Sequence, residues 1–339
     1  MAEAAICAGC RAYFGYPITP QNEILEHMAA HMCTVGGVFI QAESEIAAVN
    51  MCYGASAAGV RTMTSSSGPG ISLKMEGISY LVGADLPCVI VNVARGGPGL
   101  GNIAPAQGDY FQATKGGGHG DYRMIVLSPA TVAEAIELVM LAFGLADKYR
   151  GPVMVLSDGM LGQMMEPVAL PEPVDPASLP AKPWALTGAR GRGPNVITSY
   201  YIDPRDLNRV NVERQSRYRQ IEETEVRYRE TDTSDASIVI VAYGTVARIA
   251  RTTVKMARSQ GIKLGLLQPI TLLPFPYAPL RALSSRVHTI LTVEMSAGQM
   301  AEDVRLAVAD RAETPFYGVL GGLVPTPKDI LREVKLSVC

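Results

Sequence analysis

Pro87 to Val93 is a nearly continuous apolar run rich in β-branched residues, the mark of a strand buried on both faces. Such a strand needs helices on each side, which confines the chain to an α/β fold with a parallel sheet. The rest of the first half repeats the theme. Val38-Phe39-Ile40-Gln41, Thr62-Met63-Thr64, Met124 to Leu127 and Val153 to Leu156 read as strands. Helical patterns over Ile46–Ala58, about Ile71–Gly83 and about Thr131–Lys148 alternate with them. This is a doubly wound order.

At 339 residues the chain is long enough for two such units. Residues 1–165 form the first. Residues 166–232 are proline-rich and then heavily charged: Gly188 to Pro194 is a basic turn, and Arg205 to Glu230 reads as a solvated helix or arm. A second alternation fills 233–339, with strands at Ser237–Val241, Lys263–Leu267 and His288–Val293 and a helix ending near Gly261. The expected fold is α/β, with two doubly wound parallel-sheet domains. No repeat of solenoid period is present.

Composition removes several classes. Hydrophobic residues are 48% and the net charge is −2, which excludes a disordered chain and argues against a nucleic-acid surface. Met1–Cys10 lacks the basic start of a secretory signal, and no apolar run reaches membrane-spanning length, so a cytoplasmic protein is expected. Six cysteines, at 7, 10, 33, 52, 88 and 339, then read as reduced thiols. Cys7 and Cys10 form one CxxC pair within an expected helix, without a second pair to complete a metal set, so they read as structural.

Parallel sheets place ligands beyond the carboxyl ends of their strands. Four loops qualify: Gly15 to Pro20, Gln41 to Glu45, Ser65 to Gly70 and Ala94 to Gly99, each opening toward a helix. Ser67-Gly68-Pro69-Gly70 suits either an anion on a helix N-terminus or a tight turn. No Walker pattern occurs, and Gly96 to Gly101 has the wrong glycine order for a dinucleotide site. Glu45 opens a helix of small apolar residues, where a carboxylate partly withdrawn from water suits proton transfer, although a helix-start Glu is also common. Glu43 is the more exposed rival. Arg95 after the buried strand suits bidentate recognition of a carboxylate, or a surface ion pair. His119 is either a proton relay or a polar loop residue.

Gly15-Tyr16-Pro17-Ile18-Thr19-Pro20, the Glu45-to-Gly70 stretch and Arg95-Gly96-Gly97-Pro98 together resemble the alpha-type subunit of 2-oxoacid:ferredoxin oxidoreductases. The resemblance continues through Asp158-Gly159-Met160, Gln268 to Leu272, Val293-Glu294-Met295 and Gly321 to Pro327, covering nearly the whole chain. Met1 to Ala4 resembles a family start lacking a few leading residues. The resemblance implies a thiamine diphosphate pyrimidine-binding domain followed by a transketolase C-terminal-like domain. It selects Glu45 over Glu43, because Glu45-Ile46-Ala47-Ala48, Gly54 and Ser67-Gly68-Pro69-Gly70 follow the register of such domains. Glu45 is then the residue that hydrogen-bonds the aminopyrimidine ring, with Ser67 and Gly68 also at the cofactor. Thr19 and Arg95 meet the substrate, and Ile18 and His119 support the site from behind.

The implied reaction belongs to anaerobic metabolism: coenzyme A-dependent oxidative decarboxylation of a 2-oxoacid to an acyl-CoA and carbon dioxide, with electrons passed to ferredoxin. The family's Gly-Asp-Gly and Asn-Asn motifs for magnesium and diphosphate are absent, Ser157-Asp158-Gly159 being a partial match, and cluster cysteine spacing is absent too. The resemblance therefore implies a beta-type partner subunit carrying diphosphate, Mg2+ and a 4Fe–4S cluster, with gamma and ferredoxin-like subunits. No metal is expected on this chain, and the apolar surface around Glu45 is expected to be a subunit interface. Ser65-Ser66-Ser67, Gly99 to Asn102 and Gly116 to Asp121 look most like the 2-oxoisovalerate type. A 2-oxoglutarate type would need a second cation, for which Lys74, Lys115, His119 and Arg123 are candidates. A non-catalytic α/β scaffold and a complete thiamine enzyme active alone are the rivals.

Overall fold

The computed structural model describes residues 1–337, so Cys339 lies outside the described residues. Six strands of the first half, β1 (Ala12–Gly15), β2 (Val38–Gln41), β3 (Thr62–Ser66), β4 (Cys88–Ala94), β5 (Ile125–Leu127) and β6 (Pro152–Asp158), lie in one parallel sheet in the order β5-β6-β4-β3-β1-β2. β4 is buried along its whole length and pairs with β3 and β6, as its β-branched run requires. Helices α1 (Ala2–Cys7) and α2 (Asn22–His31) share one core beneath the sheet; α3 (Glu45–Ala57) and α4 (Pro69–Gly83) pack together on the other face. Beyond them come α5 (Tyr110–Thr114), α6 (Val132–Tyr149) and α7 (Gly159–Gly162). Chain order reverses between β1 and β3, so their carboxyl ends form a crevice at a topological switch point.

The second half carries α8 (Pro204–Thr224), α9 (Gly244–Arg258), α10 (Tyr277–Ser284), α11 (Gln299–Val308) and α12 (Pro327–Leu336). Its sheet runs β12-β11-β8-β9-β7, with β7 (Tyr228–Thr231), β8 (Ile238–Val241), β9 (Leu264–Pro269), β11 (Thr289–Glu294) and β12 (Phe316–Gly318). Neither sheet is purely parallel. β7 is an antiparallel edge on β9, and β10 (Thr271–Leu273) leaves the second half to pair antiparallel with β5 of the first sheet. Prolines at 269 and 274 bracket that short strand, a composition tolerated at a sheet edge but not inside one.

The halves share one hydrophobic core that includes Tyr110, Tyr243, Phe275 and Met300. Gln107 ties them further, donating to the Tyr243 carbonyl at 3.0 Å and accepting from the Met295 amide at 2.9 Å. The charged segment is no solvated arm. Val210, Arg214, Tyr218 and Ile221 repeat at helical spacing and are buried, while Arg214 and Arg217 reach Asp85 at 3.4 and 2.9 Å. Cys10 lies past the end of α1 rather than inside it, fully buried, and burial pushes its thiol up to about 12. Such a thiol is a packing group.

Candidate active site

Glu45 is the first residue of α3. Ser44 caps the helix by accepting from the Ala47 amide at 3.2 Å, which fixes where the turn begins. This register turns Glu45 inward, 5% exposed, and leaves Glu43 exposed. Its carboxylate lies against the start of α4 at Gly70. A Cβ at Gly70 would overlap Ser66 Oγ and stand 2.5 Å from Glu45 Oε1. Only glycine leaves that space.

β3 supplies the floor. Thr64 and Ser66 face one side of the sheet and Ser65 the other. Thr64 donates to the Phe14 carbonyl at 2.6 Å and accepts from Lys74 Nζ at 3.0 Å. Ser65 meets Tyr13 Oη at 2.6 Å and donates to Gln21 Oε1. By contrast Ser66 Oγ, Ser67 Oγ and Arg95 Nε are buried without hydrogen-bond partners. Buried polar atoms are normally satisfied, so three orphans at the neighbouring carboxyl ends of β3 and β4 mark a place built for a polar ligand.

Arg95 follows β4 directly and is 8% exposed. Its guanidinium donates to the Thr19 carbonyl at 2.9 Å and to the Leu100 carbonyl at 3.1 Å. The side chain lies along Gly68, where φ is +45° and a Cβ would come within 3.3 Å of Arg95 Cγ. Thr19, Ser67, Gly68 and Arg95 are thus brought together, with Ile18 adjacent and half-buried. The loop after Arg95 does not open onto a helix. It folds back through a bridge to Pro105 before α5 begins. Behind Arg95, Asn92 donates to Asp109 at 2.9 Å, and burial pushes the Asp109 carboxyl up while Asn92 and Arg95 oppose the rise.

His119 stands apart. It is exposed, its carbonyl accepts from Ser79 and its ring meets Tyr80 edge-on. Ser79 lies nine residues beyond Gly70 on α4, about 14 Å along the helix. Lys115 pairs with Asp303 at 2.6 Å, and Arg123 is exposed, 4.0 Å from Glu222. Both line a cleft of about 670 Å³ that includes neither Glu45, Ser67 nor Arg95. Lys74 is fully buried and donates to Thr64 on β3 at 3.0 Å. Asp158 caps α7, its Oδ1 accepting from the Met160 and Leu161 amides, and burial pushes its carboxyl up.

Gln21 and Asp109 escaped the reading of the sequence, since neither sits in a motif that marks it. The three consecutive hydroxyls of Ser65-Ser66-Ser67 were visible there, and hydroxyls in a strand otherwise destined for the core must pair or await a partner.

Residues 3–233 match the family described as pyruvate flavodoxin/ferredoxin oxidoreductase, thiamine diphosphate-binding, and residues 236–330 match pyruvate:ferredoxin oxidoreductase core domain II. The ketoisovalerate oxidoreductase subunit VorB of Methanothermobacter thermautotrophicus is 52% identical over 331 residues, covering 98% of this chain and 94% of that protein. The 2-oxoglutarate synthase subunit KorA of the same organism is 38% identical, covering 98% and 95%. Among solved structures, the 2-oxoglutarate:ferredoxin oxidoreductase of Magnetococcus marinus superposes with a TM-score of 0.86 at 27% identity. That match covers all of this chain but 64% of the longer one. A split-gene transketolase shares the fold, with a TM-score of 0.57 at 13% identity.

Proposed function

The chain belongs to the pyruvate flavodoxin/ferredoxin oxidoreductase family, and from that premise we propose that it supplies the pyrimidine-facing half of a shared thiamine diphosphate site. The chain is a subunit of a 2-oxoacid:ferredoxin oxidoreductase. The observation that carries the proposal is the buried Glu45 carboxylate against Gly70, beside the partnerless hydroxyls of Ser66 and Ser67. Those residues fit the cofactor's polar, proton-exchanging ring. When bound, thiamine diphosphate supplies a nucleophilic carbon and an electron sink for decarboxylation.

Glu45 holds and returns a proton at its carboxylate, in a pocket too buried for water to compete. Ser67 and Gly68 fix the approach of the ring. Arg95 pairs through its free Nε edge with the substrate carboxylate, and its hold on the Thr19 carbonyl keeps the Thr19 loop beside it. Diphosphate, Mg2+ and a 4Fe–4S cluster belong to a beta-type partner, with gamma and ferredoxin-like subunits completing the complex. Ile46, Leu73, Val38 and Ile40, each between 41% and 50% exposed, form the apolar surface that the beta-type subunit covers.

The substrate is a branched-chain 2-oxoacid, 2-oxoisovalerate. The loop held by Arg95 presents Leu100 and Ile103, 81% and 61% exposed, as apolar contacts for a branched side chain. None of Lys74, Lys115, His119 and Arg123 stands ready for a second carboxylate: Lys74 is buried, and the others lie in or near the distant cleft and loop. The test is viologen reduction with coenzyme A by the complex co-purified from its host, comparing pyruvate, 2-oxoisovalerate and 2-oxoglutarate. Fastest reduction with 2-oxoisovalerate, dependent on thiamine diphosphate, is expected. A preference for 2-oxoglutarate would overturn the substrate assignment, and no cofactor-dependent reduction would return the chain to a scaffold role.

A further inference from the structure

Asn102 joins two loops 219 positions apart, one from each half of the chain. Its side-chain amide donates to the Gly321 carbonyl at 2.9 Å, while its Oδ1 accepts from the Ala104 amide at 3.0 Å. Gly321 and Gly322 are the centre of a tight turn between β12 and α12, closed by the Leu323 amide on the Leu320 carbonyl at 3.3 Å. Both glycines have positive φ, +66° and +92°, a pair of torsions that side chains resist. The turn also comes close to its partner loop. A Cβ at Gly322 would stand 2.4 Å from Ala104 Cβ. Packing and a hydrogen bond thus hold the two loops at one distance.

The loop that Asn102 anchors carries Leu100 and Ile103. It leaves β4 at Arg95 and closes on itself: the Gly96 amide donates to the Ala104 carbonyl at 2.9 Å, and the Asn102 amide to the Gly96 carbonyl at 3.0 Å. A Cβ at Gly96 would stand 2.5 Å from Asn102 Oδ1, so the side chain lies over the neck of the loop. At its tip the Leu100 carbonyl accepts from the Arg95 guanidinium at 3.1 Å. One set of bonds therefore runs from the second half, through Asn102 and the loop, to the guanidinium that lies along Gly68. Elsewhere the halves are held by Gln107 and by their shared core, so folding does not depend on this surface tie.

We propose that Asn102 is a positioning residue that sets substrate preference: by tying the Gly321 turn of the second half to the Arg95 loop, it holds Leu100 and Ile103 where a branched side chain meets them. The proposal rests on the reading of that loop as the contact for the substrate side chain. Arg95 meets the carboxylate of any 2-oxoacid, whereas the apolar contacts count only for an acid whose side chain reaches them. Loosening the loop weakens 2-oxoisovalerate more than pyruvate, which offers a single methyl group.

The experiment measures viologen reduction by the assembled complex with 2-oxoisovalerate and with pyruvate, at saturating thiamine diphosphate and coenzyme A. Asn102→Ala should raise the KM for 2-oxoisovalerate by about threefold to tenfold, the worth of one hydrogen bond, with kcat and melting temperature retained. The preference for 2-oxoisovalerate over pyruvate in kcat/KM should fall by about threefold or more. Asn102→Asp keeps the acceptor for the Ala104 amide and removes the donor to Gly321. It should lower the preference equally, because its charge acts alike on two carboxylate substrates. Wild-type preference in either variant would overturn the tie between the halves. So would a fall in kcat for both acids at unchanged KM, the mark of lost active protein. Leu100→Ala in the same assay separates the two ideas. If it leaves the preference at the wild-type value, the reading of the loop fails; if it lowers the preference while Asn102→Ala does not, the proposal for Asn102 fails alone.

Discussion

The Arg95 guanidinium donates to the backbone carbonyl of Thr19 at 2.9 Å, joining residues 76 positions apart in the chain. A second donation, to the Leu100 carbonyl at 3.1 Å, makes the same side chain a clamp between two loops. Its Nε remains buried without a partner, so the clamp holds an unused donor edge at the carboxyl ends of β1, β3 and β4. One side chain thus combines a structural hold with a free donor.

Arg95→Ala is expected to raise the KM for the 2-oxoacid by about tenfold to a hundredfold, the loss appropriate to a charged hydrogen bond. Arg95→Lys should recover only part, since an ammonium lacks the fork that reaches two carbonyls and a carboxylate together. Steady-state kinetics of the assembled complex provide the check. An unchanged KM would remove Arg95 from substrate binding.

Gly70→Ala places a methyl group onto Ser66 Oγ and 2.5 Å from Glu45 Oε1. Overpacking of this kind costs about 1–3 kcal/mol, and here the displaced group is the carboxylate itself. Thiamine diphosphate affinity, read by calorimetry on the complex, should fall by at least about tenfold, the equivalent of 1.4 kcal/mol. Wild-type affinity would mean that Glu45 does not need its place beside Gly70.

Glu225 gives the fold a pH signature. Burial opposes its ionisation, but Lys148 at 2.7 Å, Tyr149 at 2.6 Å and Arg227 at 2.8 Å outweigh it and bring the carboxyl down to about 2. A depressed carboxylate stabilises the fold above its unfolded value, near 4.5, and loses that contribution as pH falls toward about 2. The melting temperature of the wild type should therefore exceed that of Glu225→Gln by a constant margin above about pH 5, closing on acidification. A margin independent of pH would contradict the assignment.

The parallel order and the site loops were legible because each is local: β-branched runs end in glycine-rich or polar turns. Glu45 was separable from Glu43 only through the register of the family resemblance, since both carboxylates stand at the same helix start. β10 was not legible, since three residues between prolines carry no period and their partner, β5, lies well over a hundred positions earlier. The partial burial of α8 was hidden by charge; its apolar stripe is thin, and arginines at 214 and 217 are drawn inward by Asp85 together with the Gly83 and Tyr149 carbonyls. His119 was read from its glycine-rich loop, which carries no long-range signal, and tertiary packing sets that loop against Ser79 near the far end of α4. Lys74 was recognised as a cation, but its burial depends on how α4 docks onto β3.

Glu45→Gln keeps the shape of the side chain and removes the carboxylate, so it shows whether Glu45 handles the proton in a thiamine diphosphate site completed by a partner subunit. Turnover of 2-oxoisovalerate by the assembled complex at saturating thiamine diphosphate and coenzyme A should fall by about 10²-fold or more, with assembly and melting temperature retained. A rate within error of the wild type would contradict the account.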